Sequence, residues 1–207
     1  DTQRTARLRN FKNKLAPANY TDNLYQAFLE KTAIWVDAKK IEILDRLYSI
    51  LEKDFRRNDW VGKGYHCLEH SIECALLTQS VPLDPDLRSA ADRLELAVAA
   101  LLHDYDPLRS SGVPDTLHTV QLVLLDSFLN HTLKELELEP ARLALLIDRT
   151  SYPMTARQEQ LWECRVALHF CNPTETDRYI RKGKLLAKLN RASTYVCLNP
   201  HEAMRRV

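Results

Sequence analysis

Glycine is scarce in this 207-residue chain, which contains only 4. Leucine, alanine, glutamate, lysine and arginine, which favour helices, are abundant instead, so the composition predicts an all-α protein. An excess of charge of one sign is also lacking, because 29 basic and 28 acidic residues leave a net charge of +1. This balance gives no general case for nucleic-acid binding, which is favoured by an excess of basic residues.

Long apolar runs and paired cysteine motifs are absent as well. No run approaches the ~20 apolar residues that span a bilayer, and no secretory signal is visible, so we expect no membrane partner and a cytoplasmic location. The five cysteines show neither zinc-finger nor CxxC spacing, and their odd number favours a reducing compartment. Cys67 and Cys74 lie one heptad apart, which we interpret as two small core residues.

Two short motifs carry the chemistry. The first, YHCLEH, places His66 and His70 four residues apart, and an α-helix repeats every ~3.6 residues, so we expect both imidazoles on one helix face. The second, LLHDYD, adds the adjacent pair His103 and Asp104. Imidazole nitrogen and carboxylate oxygen are ligands that suit a divalent transition metal. The motifs together predict a metal site.

The sequence between the motifs predicts a helical hairpin that brings them together. A helical pattern runs from His66 to about Ser80, and Pro82 and Pro85 then interrupt it. A second helix is expected from near Asp86 to the second motif. The arms are about 14 and about 17 residues long, or ~21 and ~26 Å, so an antiparallel hairpin returns the second motif to the level of the first.

These motifs resemble the HD-domain superfamily of metal-dependent phosphohydrolases. More narrowly, YHCLEH and HDYDPLRSSGV look like the metal-binding half of cyclic-nucleotide phosphodiesterases, whose motifs read YHNxxH and HDxDHxGxxN. The resemblance covers roughly residues 60–155. It implies a single-domain helical bundle of the HD-domain type over residues 21–207, with residues 1–20 as an N-terminal helix or linker.

The resemblance also implies roles for individual residues. His70, His103 and Asp104 match metal ligands. His66 matches the histidine that protonates the leaving oxygen. Asp106 matches the second aspartate of HDxDH, which holds a bridging water or supports a second metal.

The departures from the family pattern limit what the site can hold. Pro107 stands where the phosphodiesterases have a histidine, so we expect one metal ion per chain rather than two. Ser151 falls where the family has its closing aspartate, and Asp148, three residues earlier on nearly the same helix face, is the alternative fourth ligand. The metal's identity stays open among Mn, Fe, Co, Ni, Zn and Mg.

Basic side chains near the motifs are candidates for binding substrate phosphate. Guanidinium groups bind phosphate bidentately and ammonium groups bind it as point charges, so we expect contacts from Arg109 and Lys63, with Arg149 as a further candidate. Arg109 replaces a glycine of the family motif, so the loop after the motif is expected to differ. His118 and His131 are interpreted as exposed helix residues, with a second metal as the alternative.

The rest of the chain predicts further helices. They are expected from Thr21 or Asp22 onward, over 32–55, over 116–132, over 140–148, over 155–170, and from Thr174 toward Cys197. Asp115 is expected to cap the helix over 116–132, with a substrate contact as the alternative. The basic stretch 1–15 predicts a packed N-terminal helix, or a signalling helix from an upstream sensor domain.

Three functions are consistent with these motifs. The first is metal-dependent hydrolysis of a phosphate ester, a nucleotide phosphomonoester or phosphodiester. The second is a catalytically weak or inactive HD domain with a regulatory or sensory role, as a possible homodimer. The third is an HD-type oxygenase with two irons, which requires more histidine ligands than the motifs supply. No counterpart of the base-stacking phenylalanine and glutamine of phosphodiesterases is found, so nothing supports cyclic-nucleotide specificity.

Overall fold

The protein is built from helices alone wherever its structure is described. The computed structural model describes residues 20–61, 66–109 and 114–196, with side chains to residue 193, and these residues form no strand. The α-helices are α1 Tyr20–Thr32, α2 Ala38–Arg57, α3 Leu68–Ser80, α4 Ala90–Leu102, α5 Thr116–Leu125, α6 Ser127–Glu135, α7 Pro140–Asp148, α8 Ala156–Phe170 and α9 Pro173–Val196. The predicted all-α class is confirmed. None of these helices is both long and apolar enough to cross a bilayer.

The predicted hairpin is present, with boundaries that differ from those expected. A short 3₁₀ helix, Pro85–Leu87, lies between α3 and α4, and Ser89 then caps α4 by accepting a hydrogen bond from the Asp92 amide. Helix α3 begins at Leu68, because Cys67 has the extended backbone of an N-cap residue. His66 therefore precedes the helix, and the prediction that it shares a helix face with His70 is wrong.

The predicted continuous helix over 116–132 is also wrong, because Asp126 divides it. The backbone of Asp126 is extended, with φ −71° and ψ 118°, and its carboxylate accepts a hydrogen bond of 2.8 Å from the Leu129 amide. A short polar side chain that bonds a nearby amide competes with helix continuation. Asp115 caps α5 by accepting from the Leu117 amide at 2.9 Å, which confirms its predicted capping role.

The α3–α4 hairpin forms the centre of the described bundle. Every residue of α4 from Asp92 to Leu102 is buried. Helices α1 and α9 pack against α3, while α7 and α9 pack against α4, and α2 contacts both α3 and α6. A helix covered all round is normally apolar, so the buried polar groups of this hairpin require specific partners.

Helix α9 supplies partners for the buried charges of α4. Lys182 is fully buried and donates hydrogen bonds of 2.5 Å to both Asp92 and Glu95. Arg178, one turn earlier, donates to Asp92 at 2.5 Å. These bonds fix the register of α9 against α4, and the same helix continues to Asn190 and Ser193 beside the predicted metal site.

Helix α9 also packs tightly on α8. A Cβ added at Gly183 would lie 2.6 Å from the ring of Trp162, which is fully buried. The indole nitrogen of Trp162 donates to the Leu145 carbonyl at 2.7 Å, so the ring cannot withdraw without losing that bond. Glycine is therefore required at this position for α9 to approach α8.

Lys182→Met is expected to lower the free energy of unfolding by about 3–5 kcal/mol, because it removes the fully buried cation that Asp92 and Glu95 share. Lys184→Met is the matched control, since Lys184 lies on the same helix but is partly exposed, and its ion pairs with Glu159 and Glu163 contribute about 0–1 kcal/mol. Urea unfolding of both variants at neutral pH measures the difference. Similar small losses in the two variants would contradict a stabilising role for the buried network.

The Asp92 carboxylate predicts a loss of stability in acid. Burial raises the pKa of Asp92, but hydrogen bonds from Lys182 and Ser89 lower it by more, so its pKa in the folded state lies below the ordinary value. The resulting stabilisation is present above the unfolded pKa of about 3.9 and is lost as the pH falls through the folded pKa. Urea unfolding at a series of pH values should show a smaller decline below about pH 4 for Asp92→Asn than for the wild type. Equal declines would exclude this contribution.

Candidate metal centre

Four of the predicted site residues meet at one end of the α3–α4 hairpin. His70 lies in the first turn of α3, His103 caps the end of α4, Asp104 follows it, and His66 precedes α3. His70, His103 and Asp104 are buried, with exposed fractions of 0%, 2% and 4%. The His66 side chain is 30% exposed, so it lies toward the outside of the group.

The Asp104 carboxylate contacts all three histidines. One oxygen, Oδ2, lies 2.8 Å from Nδ1 of His66 and 3.7 Å from Nε2 of His70. The other, Oδ1, lies 3.4 Å from Nε2 of His103. The two Nε2 atoms of His70 and His103 are 3.3 Å apart. The sequence motifs thus converge on one point, as the hairpin predicted.

The tautomer of His103 is determined by a backbone hydrogen bond. Its Nδ1 lies 2.8 Å from the Ala100 carbonyl oxygen, which can only accept, so Nδ1 carries the proton. In the neutral ring, Nε2 then presents a lone pair toward His70 and Asp104. Histidines that bind metals commonly donate their other N–H to a backbone carbonyl in this way. The donor set therefore fits a cation.

His70 is oriented by two residues of α9 that the sequence analysis did not identify. The Ser193 hydroxyl donates to the Asn190 carbonyl at 2.8 Å, so its oxygen accepts from Nδ1 of His70 at 3.0 Å. The proton on Nδ1 leaves Nε2 with a lone pair, and the Asn190 side-chain oxygen lies 2.9 Å from that atom. Asn190 thus places an oxygen where the fourth ligand was expected from Asp148 or Ser151.

Cys74 is a further potential ligand that the sequence analysis interpreted as a core residue. It is fully buried one turn after His70, and its Sγ lies 3.8 Å from Nε2 of that histidine. One donor atom each from His70, Cys74 and His103 lie within 4.8 Å of one another, and such a group could hold a metal ion. The four-residue spacing from His70 to Cys74 was the available sequence signal.

Asp104 stays ionised although it is buried. Burial raises the pKa of its carboxyl, but the neighbouring histidines, His103 and then His66, lower it by more, so the pKa lies below the ordinary range. A carboxylate that remains negative in a buried position provides a strong local preference for positive charge.

Asp106 organises the loop after α4. It is 1% exposed, and its two oxygens accept from the Leu108 amide at 3.0 Å and from the Asp115 amide at 2.9 Å. His118 Nδ1 also lies 3.3 Å from one of these oxygens. Asp106 therefore has much of its hydrogen-bonding capacity committed to the protein.

His131 is exposed beside Glu135, and its Nε2 lies 3.9 Å from Oε2 of that residue.

Arg109 is buried against the same loop. Its guanidinium carbon lies 3.4 Å from the ring centroid of Trp60, and Nη1 donates to the His66 carbonyl at 3.0 Å. Nε and Nη2 are buried and make no hydrogen bond in the described parts of the chain. Arg109 thus joins the loop after α4 to the segment that carries His66.

The other predicted residues lie elsewhere. Asp148 ends α7 and pairs with Arg165 of α8, and within the described ranges it forms no hydrogen bond or ion pair with the histidines. Arg149 pairs with Glu159 at 3.0 Å. Lys63, the second predicted phosphate contact, lies outside the described residues.

Comparison of this chain with protein-family models, with curated proteins and with solved structures gives no match. The HD-domain resemblance therefore depends on the two sequence motifs alone.

Asp106→Ala is expected to destabilise the protein by about 2–4 kcal/mol, because two backbone amides lose the charged acceptor of their part-buried hydrogen bonds. Asp115→Ala is the control, since it removes a helix cap worth about 1 kcal/mol. Urea unfolding measures the stability of both variants. Metal analysis of the same samples should give the same number of ions per chain for Asp106→Ala as for the wild type. A fall from two ions to one in Asp106→Ala would instead show that Asp106 supports a second metal.

Proposed function

We propose that this protein is a metal-dependent phosphohydrolase of the HD-domain type, acting on a phosphate ester of a small molecule. A nucleotide phosphomonoester or phosphodiester is the expected substrate class. The observation that carries the proposal is the approach of His70 Nε2, His103 Nε2 and the Asp104 carboxylate to within 3.3–3.7 Å of one another. This donor set comes from the residues that match the ligands of the HD motifs.

One divalent ion is the proposed cofactor, held by His70, His103 and Asp104. When bound, such an ion supplies a water of lowered pKa and stabilises negative charge on a phosphoryl oxygen. Two neutral imidazoles and one carboxylate leave a net positive charge, which favours an anionic substrate. Both oxygens of Asp106 already accept hydrogen bonds from backbone amides, which leaves this carboxylate less able to bind a second ion. This supports one ion rather than two.

His66 is the proposed proton donor to the leaving oxygen. Its Nδ1 lies 2.8 Å from Asp104, which accepts the Nδ1 proton and orients the ring. Nε2 is then the nitrogen that exchanges a proton with substrate, at a side chain more exposed than the other three. Imidazole is a common general acid in enzymes that work near neutral pH.

Arg109 is proposed to position His66. Its hydrogen bond to the His66 carbonyl and its stacking on Trp60 hold the segment before α3 against the loop after α4. The expectation that Arg109 and Lys63 contact substrate phosphate is part of the proposal. The contacts of Arg109 with the His66 carbonyl and with Trp60 support its role in positioning His66 more than a contact with substrate phosphate.

A regulatory HD domain with weak or no catalysis is the second candidate. It is favoured by the full burial of His70, Cys74 and His103, because a closed site is typical of an ion that stabilises a fold. The two-iron oxygenase gains no comparable support. Of the two additional histidines that it would use, His118 contacts Asp106 and His131 is exposed beside Glu135.

Hydrolysis assays with variants at Asp104 and His66 test the proposal. The wild-type protein, loaded separately with Mn, Co and Zn, should hydrolyse p-nitrophenyl phosphate or bis(p-nitrophenyl) phosphate. Asp104→Asn should lose both bound metal and activity. His66→Gln should retain metal while kcat falls by about 10²–10⁴, which is the contribution of a general acid.

Asp177→Asn is the control for loss of a carboxylate, because Asp177 is exposed and pairs with Arg181 away from the site. It should retain full metal content and full activity. Metal binding with hydrolysis that is absent, or that is equal in the wild type and Asp104→Asn, would overturn the enzyme proposal and favour the regulatory alternative.

A further inference from the structure

We infer that Cys74 binds the metal ion as a thiolate and makes this centre select a zinc-type ion over magnesium or manganese. The inference deepens the proposed function, since it concerns the ion held by His70 and His103. It requires neither hydrolysis nor a particular substrate.

Two of the distances among the donor atoms are close to the edges of a tetrahedral site, and all three donors lie within 4.8 Å of one another. With Zn–N bonds of about 2.0–2.1 Å and Zn–S bonds of about 2.3 Å, a tetrahedron has N···N edges of about 3.3 Å and N···S edges of about 3.6 Å. The two Nε2 atoms of His70 and His103 are 3.3 Å apart, and Cys74 Sγ lies 3.8 Å from the first of them. Sγ is nearly equidistant from Nε2 and Nδ1 of His70, at 3.8 and 3.9 Å, so sharing an ion requires the Cys74 side chain to turn toward the lone-pair side of Nε2.

The surroundings of Cys74 are more polar than those of an ordinary core cysteine. Its Sγ lies 3.4 Å from Ser193 Oγ and 3.9 Å from Asn190 Oδ1, both on α9. A cysteine that serves as a small hydrophobic residue gains its stability from apolar contacts. The convergence of two imidazoles, an amide and a hydroxyl on one buried sulfur indicates a ligand environment.

The helices that supply these groups are firmly joined. His70 and Cys74 are separated by one turn of α3, so their spacing is set by the helix repeat. Ser193 accepts from Nδ1 of His70 while donating to the Asn190 carbonyl, which holds the histidine ring in the orientation that turns Nε2 toward the group. Outer contacts of this kind support a metal site by orienting its ligands.

A thiolate ligand changes which ion is preferred. Cysteine sulfur and imidazole nitrogen suit zinc and cobalt, whereas magnesium and manganese prefer oxygen ligands. The thiolate also cancels one positive charge, since an ion with His70, His103, Asp104 and Cys74 has no net charge. Hydrolysis at such an ion requires a fifth position for water. The metal preference and the local charge of the site therefore both depend on residue 74.

Optical spectroscopy of the cobalt(II) protein tests this inference without reference to activity. A thiolate bound to cobalt gives an intense charge-transfer band in the near ultraviolet, which nitrogen and oxygen ligands do not give. The full-length chain with one equivalent of cobalt should show this band. Cys74→Ser should lose it while keeping weaker visible bands, and its zinc affinity, measured by competition with a chelating dye, should fall by more than about 100-fold.

Cys67→Ser is the matched control, because Cys67 is also buried and lies three residues before His70. It should keep the band. Cys74→Ala is the second variant, and far-ultraviolet circular dichroism of each apoprotein establishes that it is folded. If one variant fails to fold, the other and the wild-type spectrum still decide the question.

Cobalt binding without the thiolate band, or a band that Cys67→Ser abolishes, would overturn the inference and leave the phosphohydrolase proposal intact. The band without hydrolysis would support the inference and overturn the phosphohydrolase proposal. Failure of the folded wild-type protein to bind cobalt or zinc would overturn the inference, and failure to bind manganese as well would overturn both.

Discussion

The burial of a charged carboxylate among three histidines is the constraint on which the rest of this structure depends. Asp104 is taken out of water at the end of α4, and such a group is stable there only if positive or hydrogen-bonding partners surround it. His66 hydrogen-bonds to Asp104, whereas His70 and His103 face it with the lone pairs of Nε2, so a bound cation would complete its partners. Their approach requires that α3 and α4 pair closely along their length, which explains why the hairpin is the buried centre of the bundle.

Helix α9 extends this constraint across the molecule. Lys182 neutralises the buried acidic residues of α4, and Gly183 permits close packing on α8, so the helix has one register on the bundle. Asn190 and Ser193 lie two or more turns after Lys182 on α9. The register of the helix therefore places both residues beside His70. The ion pairs of Lys182 with Asp92 and Glu95 thereby determine which residues line the inner side of the candidate metal centre.

Local patterns in the sequence predicted the all-α class, the hairpin and the convergence of its two motifs. They could do so because helix periodicity and proline breaks act over a few residues. They did not reveal Asn190, since its position depends on how a distant helix packs, and an isolated asparagine has no spacing signal. Asp106 matched a metal-site motif, whereas its oxygens serve the loop's backbone amides. Cys74 was assigned to the core because it lies one heptad after Cys67, although its spacing from His70 suits a ligand.

The two histidines fix where an ion would lie, but the other ligands determine what it can do. With Asp104 alone as the charged ligand, a divalent ion would leave the proposed centre with a net charge of +1 and would attract a phosphate directly. With the Cys74 thiolate added, that charge falls to zero, and a substrate anion must find positive charge elsewhere. Arg109 is a candidate source, because its buried guanidinium interacts electrostatically with Asp104 and retains two nitrogens without hydrogen-bond partners among the described residues. If sulfur coordinates the ion, the positive charge that attracts the substrate anion would come from the protein and not from the ion. The loop that holds Arg109 would then contribute to substrate binding.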